Sequence, residues 1–154
     1  MPARIIGIGQ SMAGDDGVGI AVARRLGEMD VPDDINVMEL AEPSEIIPFL
    51  IEGASPVVLV DAVVGASPPG RLIRLEAGTP ELAKAKLLSS HGVGMFDAIE
   101  LARTITTDPA AFRVVVIGIA IERPRRYGER LSPPVAAAVA PAAELALRIA
   151  KGES

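Results

Sequence analysis

The sequence predicts an α/β protein, a three-layer α/β/α sandwich built on a mostly parallel, twisted sheet of about five strands. Segments of strand character alternate with segments of helical character along the chain. Two strand segments, Val57–Val60 and Val114–Ile117, are apolar without alternation, as expected of strands covered on both faces of a parallel sheet. Hydrophobic residues make up 49% of the chain and aromatic residues only 3%, so the core is mainly aliphatic, as in packed helices and buried strands.

The strand assignments rest on segment length and on β-branched residues between turn-forming ones. The five predicted strands cover residues 4–9, 35–40, 56–63, 71–76 and 113–120. The fourth, RLIRLE, alternates apolar and polar side chains, which predicts a more exposed strand at the edge of the sheet. The two strands with unbroken apolar runs are expected to be central.

Helices are predicted where apolar residues recur at helical spacing between the strands. These segments are residues 17–29, 44–53 and 94–105. A further helix closes the chain, because Ser132 can cap it and Pro133 fits its first turn, where no N–H is needed. Strands joined by such helices imply right-handed crossovers, with helices on both faces of the sheet.

Length and composition exclude several classes of protein. The 154 residues, 1–154, are expected to form a single domain. A net charge of −5, without a run of Lys/Arg interleaved with aromatics, argues against nucleic acid as a partner. The most apolar stretch is broken by Pro141, Glu144 and Arg148, so no membrane partner is expected. Cysteine is absent, which excludes disulfides and thiolate sites, and we expect a cytoplasmic protein.

Residues 7–19 read GIGQSMAGDDGVG, a glycine-rich turn between the first strand and the first helix. A dinucleotide-binding loop needs a small residue where Met12 stands, and Asp15 and Asp16 would repel a pyrophosphate at the helix N-terminus. We therefore expect Asp15 to cap the helix and Asp16 to point into the crevice at the carboxyl ends of the strands. Gly17 and Gly19 keep the turn small, although close packing on the sheet would explain these glycines without an acid.

Two further candidates follow other elements. Asp61 comes directly after the apolar run Val57–Val60, where it needs a helix N-terminus, an arginine or a metal as partner unless it caps a turn. His91, the one histidine, precedes a predicted helix, and a lone histidine in a loop is more often a solvated or capping residue than a ligand. If the first and third strands are neighbours, Asp16 and Asp61 face one crevice. With His91 they make a ligand set for nickel, zinc or iron.

Taken together, these motifs resemble those of the hydrogenase maturation endopeptidases, which trim the C-terminus of the nickel–iron hydrogenase large subunit. The family's opening motif G-x-G-N-x-x-x-x-D-[DE]-G-x-G is similar to GIGQSMAGDDGVG, its strand-end D-A to VLVDAV, and its histidine segment to SSHGVGM. Later in the chain, IGIAIE resembles I-G-I-Q-P-E and RLSPPV resembles G-L-[ST]-P. The resemblance runs in the same order from about residue 4 to residue 148.

The resemblance implies a phosphorylase/hydrolase-like sandwich and a peptidase that removes the C-terminal extension of the large-subunit precursor after nickel insertion. Asp16, Asp61 and His91 match the family's metal-contacting triad and are expected to be both the metal ligands and the catalytic residues. The nickel would arrive with the precursor, so no organic cofactor is expected. Either Asp16, as in an aspartic-type enzyme, or the metal would activate the attacking water. The precursor is the expected partner of a monomer or weak oligomer.

Three positions depart from the family's pattern. Gln10 stands for an asparagine, residues 42–44 read Glu-Pro-Ser instead of Gly-Gly-Thr, and Ile121 replaces the proline before Glu122. None of them belongs to the triad, so they bear on the subgroup and the partner rather than on the activity. The segment ERPRRYGERL carries Arg123, Arg125, Arg126 and Arg130. Such a run is typical of a solvated loop; the functional alternative is docking of an acidic surface of the hydrogenase subunit.

Two other functions stay open from the sequence. One is a non-enzymatic nickel-binding or metallochaperone module on the same fold, which would bind nickel tightly without a substrate. A nucleotide-binding domain is the third candidate. A serine triad is unlikely, because the one histidine directly follows Ser89 and Ser90 and the G-x-S-x-G turn is missing.

Overall fold

The computed structural model describes residues 2–10, 13–80, 93–122 and 130–153. Its strands are β1 (Ala3–Ile8), β2 (Ile35–Leu40), β3 (Val57–Val64), β4 (Leu72–Glu76) and β5 (Val114–Ile121). Its α-helices are α1 (Val18–Leu26), α2 (Ile47–Ile51), α3 (Val93–Ile105) and α4 (Pro133–Ala150), with 3-10 helices over Gly14–Gly17 and Pro43–Ile46. All five predicted strands are confirmed to within one residue at each end.

The strands form one sheet in the order β2-β1-β3-β5-β4. β1 pairs in parallel with both β2 and β3, and β3 pairs in parallel with β5. β4 runs antiparallel to β5 and forms one edge, as its alternating side chains predict. The mostly parallel sheet is therefore confirmed, with β3 at its centre, and β1 and β3 are neighbours.

One face of the sheet is covered by α1 and α4. α1 buries Val18, Val22 and Leu26 at four-residue spacing, which places all three on one side of the helix. α4 contributes mainly alanines to this face, and their small side chains allow the helix to lie close to the strands. Full burial of one Val, Leu or Ile side chain stabilises the fold by about 1.5–3 kcal/mol.

The opposite face carries α2 and α3. Met95 and Ile99 of α3 are fully buried there together with Leu59 of β3 and Val116 of β5. Because side chains of a strand alternate between faces, Val58 and Val60 belong to the other core. Both central strands are thus apolar on both sides, and the predicted three-layer α/β/α sandwich is confirmed.

Among the described residues, α4 is the one helix with the length and apolar composition to cross a bilayer. Its side chains Val135, Ala142, Ala146 and Ile149 are instead buried against the sheet and α1. This burial is what a core helix of a globular domain shows. The helix continues through Pro141.

α1 approaches the sheet closely because two glycines face each other. A Cβ atom at Gly19 would lie 2.4 Å from the carbonyl oxygens of both Ile8 and Val60. A Cβ atom at Gly7 would lie 2.2 Å from the carbonyl oxygen of Gly19. Since such distances are far below any carbon–oxygen contact, only glycine lets the first turn of α1 lie against the end of β1 and the middle of β3. This contact fixes the turn that precedes α1.

Candidate active site

The carboxyl ends of β1, β2, β3 and β5 meet at one edge of the sheet, where ligand sites of such folds form. Asp16 lies there, in the 3-10 helix Gly14–Gly17. The turn packs against Gly9, where a Cβ atom would lie 2.5 Å from the carbonyl oxygen of Asp16. Gly9 also has a φ of 149°, which favours glycine. Asp16 is half-buried, and its Oδ1 atom is buried.

Asp15 does not cap the helix that follows it, contrary to the sequence-based expectation. The residue before the 3-10 helix is Ala13, and the residue before α1 is Gly17; neither position has a side-chain cap. The carboxylate of Asp15 instead accepts two hydrogen bonds from Ser132, at the start of α4. Ser132 is the N-terminal boundary residue of α4, as predicted, but its hydroxyl does not cap its own helix.

Asp61 lies within β3 and not at its end, because β3 continues to Val64 in register with β5. Pairing with β1, however, ends at Gly7 and Val60, so Asp61 is the first residue of β3 beyond β1. Its side chain is 0% exposed, the one fully buried charged side chain among the described residues. Oδ1 of Asp61 accepts the backbone N–H of Ala62 at 2.8 Å.

The turn carrying Asp16 and the strand carrying Asp61 are in direct contact. The 3-10 helix Gly14–Gly17 packs against β3, and Gly19 touches the carbonyl of Val60, next to Asp61 in the chain. Asp61 shares a sheet face with Val57 and Leu59, the face covered by α2 and α3. Across the sheet its partner in β5 is Gly118, where a Cβ atom would lie 2.9 Å from Cγ1 of Val63. The segments that carry the two aspartates are therefore neighbours at this edge of the sheet.

The third candidate, His91, lies outside the described residues. α3 begins at Val93, directly after this segment, and its Gly94 lies near Pro43, at the start of the 3-10 helix that follows β2. α3 therefore begins at the same edge of the sheet as Asp16. Within the described part of the chain, no group of three or more His, Cys, Asp or Glu residues is arranged to hold a metal.

Two departures from the family's pattern meet in space at this edge. Nε2 of Gln10 lies 3.5 Å from Oε1 of Glu42. Glu42 begins the 3-10 helix Pro43–Ile46, where its N–H donates to Oε1 of Glu45 at 2.9 Å and forms part of a capping box. The sequence identified Gln10 and Glu42 separately but did not indicate that the longer amide of Gln10 reaches Glu42.

The remaining predicted features lie at the end of β5. Ile121 is its last residue and is fully buried, and Glu122 follows at the sheet edge. Of the arginine-rich segment, Arg123, Arg125 and Arg126 lie outside the described residues, while Arg130 is described and exposed.

Comparison with known proteins relates the chain to one family. Residues 20–149 match the family model HycI, hydrogenase maturation protease; this range includes Asp61 and His91 and begins just after Asp16. Over 147 residues the chain is 27% identical to the hydrogenase expression/formation protein HupD of Bradyrhizobium diazoefficiens, covering 94% of this chain and 76% of the relative.

Solved structures of hydrogenase maturation proteases have a similar fold. The [NiFe] hydrogenase maturation protease HybD from Thermococcus kodakarensis superposes with a TM-score of 0.79 at 26% identity, covering 97% of this chain and 99% of that one. The hydrogenase maturating endopeptidase HybD from E. coli has the same fold, with a TM-score of 0.79 at 21% identity, over 99% of this chain and 93% of that one.

Proposed function

The chain belongs to the hydrogenase maturation protease family, and from that premise we propose that it removes the C-terminal extension of a nickel–iron hydrogenase large-subunit precursor after nickel insertion. Family membership makes the chain a peptidase that acts in the processing of a hydrogenase precursor. To this, the proposal adds that the substrate carries a metal and that particular residues of the enzyme bind it. In it, Asp16, Asp61 and His91 contact the nickel that the precursor carries, and no organic cofactor takes part.

The burial of Asp61 is the observation that carries this proposal. A valine or isoleucine at this position would complete the apolar face that Val57 and Leu59 begin, whereas a carboxylate at 0% exposure is costly to remove from water. An acid kept at this position despite that cost is a candidate functional residue. The contact of the Asp16 turn with β3 supplies a second carboxylate from a neighbouring segment.

The proposed triad makes nickel insertion a condition for cleavage. Carboxylate and imidazole are suitable ligands for a borderline divalent metal such as nickel. Because these groups would contact the metal and not the surrounding peptide, a precursor without nickel would lose the contacts that hold its extension in the crevice. Metal-loaded and empty precursors would therefore differ in affinity for the same enzyme.

Cleavage would be a hydrolysis. The oxygen of a water molecule attacks the carbonyl carbon of the scissile peptide, the carbon–nitrogen bond breaks, and the departing amine takes up a proton. Asp16 is half-buried on a turn at the crevice and can accept the proton of the attacking water. Activation of the water on the precursor's nickel is the other route. In either route, Asp61 is proposed as a ligand of the metal.

Removal of the negative charge at each aspartate tests the proposal. Asp16→Asn and Asp61→Asn keep the side-chain size, and the asparagine at position 61 keeps an acceptor for the N–H of Ala62. Each variant should fold normally and cleave nickel-loaded precursor at least about 100-fold more slowly, the scale of a lost catalytic base or ligand. Asp30→Asn, at an exposed position, is the matched control and should cleave like the wild type. Normal cleavage by Asp16→Asn would contradict the proposal.

The metallochaperone function predicts a different binding experiment. A resident carrier would bind nickel tightly by itself, whereas three protein ligands for a substrate-borne metal leave its coordination open and imply weak binding to the enzyme alone. Calorimetric titration of the isolated protein with nickel separates the two. The cytoplasmic location and the monomeric or weakly oligomeric state belong to the same proposal. Cell fractionation and light scattering test them.

A further inference from the structure

The carboxylate of Asp15 joins two distant parts of the chain. Its Oδ1 atom accepts the backbone N–H of Ser132 at 2.6 Å, and its Oδ2 atom accepts the hydroxyl of Ser132 at 2.7 Å. Both contacts are partly buried, and the two residues are 117 positions apart. Both oxygens of one carboxylate are thus committed to a single residue at the start of α4.

This pair takes the place of a local helix cap. Because a helix N-terminus carries a partial positive charge, the carboxylate of Asp15 stabilises α4 electrostatically as well as through its hydrogen bonds. Pro133 and Pro134 occupy the first turn and have no N–H groups to satisfy, so the hydroxyl of Ser132 has fewer local donors to cap. The hydroxyl of Ser132, which would ordinarily cap its own helix, donates to Asp15 instead.

Asp15 is the residue directly before Asp16, so this contact also holds the candidate catalytic turn. The backbone of Asp16 packs directly against Gly9, and the carbonyl oxygen of Asp16 leaves no room for a Cβ atom at Gly9. The bond to Ser132 holds the preceding residue on the side of α4. The peptide that leads into Asp16 is therefore fixed between the end of β1 and the start of α4.

We propose that Asp15 is a positioning residue: by bonding to Ser132 it sets the place of Asp16 for contact with the precursor's nickel. The inference rests on the proposed role of Asp16. A structural role alone would make Asp15 matter for stability only. A positioning role makes it matter for the preference of the folded enzyme for nickel-loaded over nickel-free precursor.

The test compares Asp15→Ala, Ser132→Ala and the double variant with the wild type, at a temperature where each is shown to be folded by circular dichroism. The measured quantities are kcat, KM and the ratio of precursor affinities with and without nickel. Since a displacement of about 1 Å can reduce catalysis about 100-fold, Asp15→Ala should lower kcat/KM by about that factor. It should also reduce the nickel preference. Ser132→Ala keeps the backbone N–H that donates to Asp15 and loses only the hydroxyl bond, so its effect should be smaller. The double variant should be no worse than Asp15→Ala, because Asp15→Ala already removes both bonds.

Two further variants separate positioning from simple loss of stability. Ser132→Thr keeps both the N–H and the hydroxyl and should retain kcat and the nickel preference of the wild type. Asp30→Ala removes an exposed carboxylate elsewhere and should change neither. A folded Asp15→Ala variant with wild-type kcat/KM and nickel preference would overturn the inference, as would additive effects of Asp15→Ala and Ser132→Ala. If instead the wild type cleaved no precursor, the proposed function would fail first.

Discussion

The Gly19→Ala substitution distinguishes helix propensity from packing, because the two effects change the free energy of unfolding in opposite directions. Within a helix, alanine is more favourable than glycine by about 1 kcal/mol. The Cβ atom at position 19 would, however, lie 2.4 Å from two backbone oxygens, those of Ile8 and Val60. A carbon–oxygen contact is ordinarily about 3.3 Å or longer, so the first turn of α1 would have to retreat from the sheet by about 1 Å.

The movement of α1 away from the sheet determines how much stability is lost. Overfilling a packed core costs about 1–3 kcal/mol, and contact with two backbone atoms that cannot rotate away favours the upper part of that range. After the gain in helix propensity, a net loss of about 2 kcal/mol remains. With a urea m-value of about 2 kcal/mol per M, the unfolding midpoint should fall by about 1 M. The Asp16 turn would move with α1, so cleavage should slow as well.

The assay is urea unfolding followed by circular dichroism, with Gly94→Ala as the matched control. Gly94 also lies in a helix, but a Cβ atom there would come no closer than 3.8 Å to Pro43. That variant should have an unchanged or slightly higher midpoint. A Gly19→Ala protein with an unchanged or higher midpoint would refute the close packing of α1 on β1 and β3.

Two further predictions concern the core and the surface. Leu59→Ala, at the centre of β3 and 0% exposed, should lower the free energy of unfolding by about 2–5 kcal/mol in the same urea assay; a loss below 1 kcal/mol would place Leu59 outside the core. Glu39→Gln removes an ion pair with Arg24 whose side chains are 41% and 61% exposed, so it should change stability by less than about 1 kcal/mol; a larger loss would show that this pair is shielded from water.

The strands were predictable because each has a local signature. β3 and β5 lie inside the sheet and carry apolar side chains on both faces, so their runs show no alternation. β4 lies at the edge and mixes apolar with polar side chains, of which only Leu75 is buried. Its antiparallel direction was not predicted, although the connection over 65–71 is short, and a parallel crossover needs about a dozen residues or more.

The nearness of the Asp16 turn to β3 was also predictable, because it follows from β1 and β3 being neighbours in the sheet. The role of Asp15 was not. Asp15 and Ser132 each have the residue type of a cap for the helix that follows, and a local rule assigns each to its own helix. In the folded protein they meet each other across 117 positions, and the tertiary contact replaces both local caps. Only the packing of α1 beside α4 brings them together.

The most direct measurement is the mass of a large-subunit precursor before and after incubation with the protein, in nickel-loaded and nickel-free form. Asp16→Asn protein serves as the inactive control. The account predicts loss of a C-terminal fragment from the nickel-loaded precursor only, and none with the variant. Equal cleavage of both forms would contradict the proposal that the enzyme recognises nickel. An unchanged mass of the nickel-loaded form would contradict the proposed substrate.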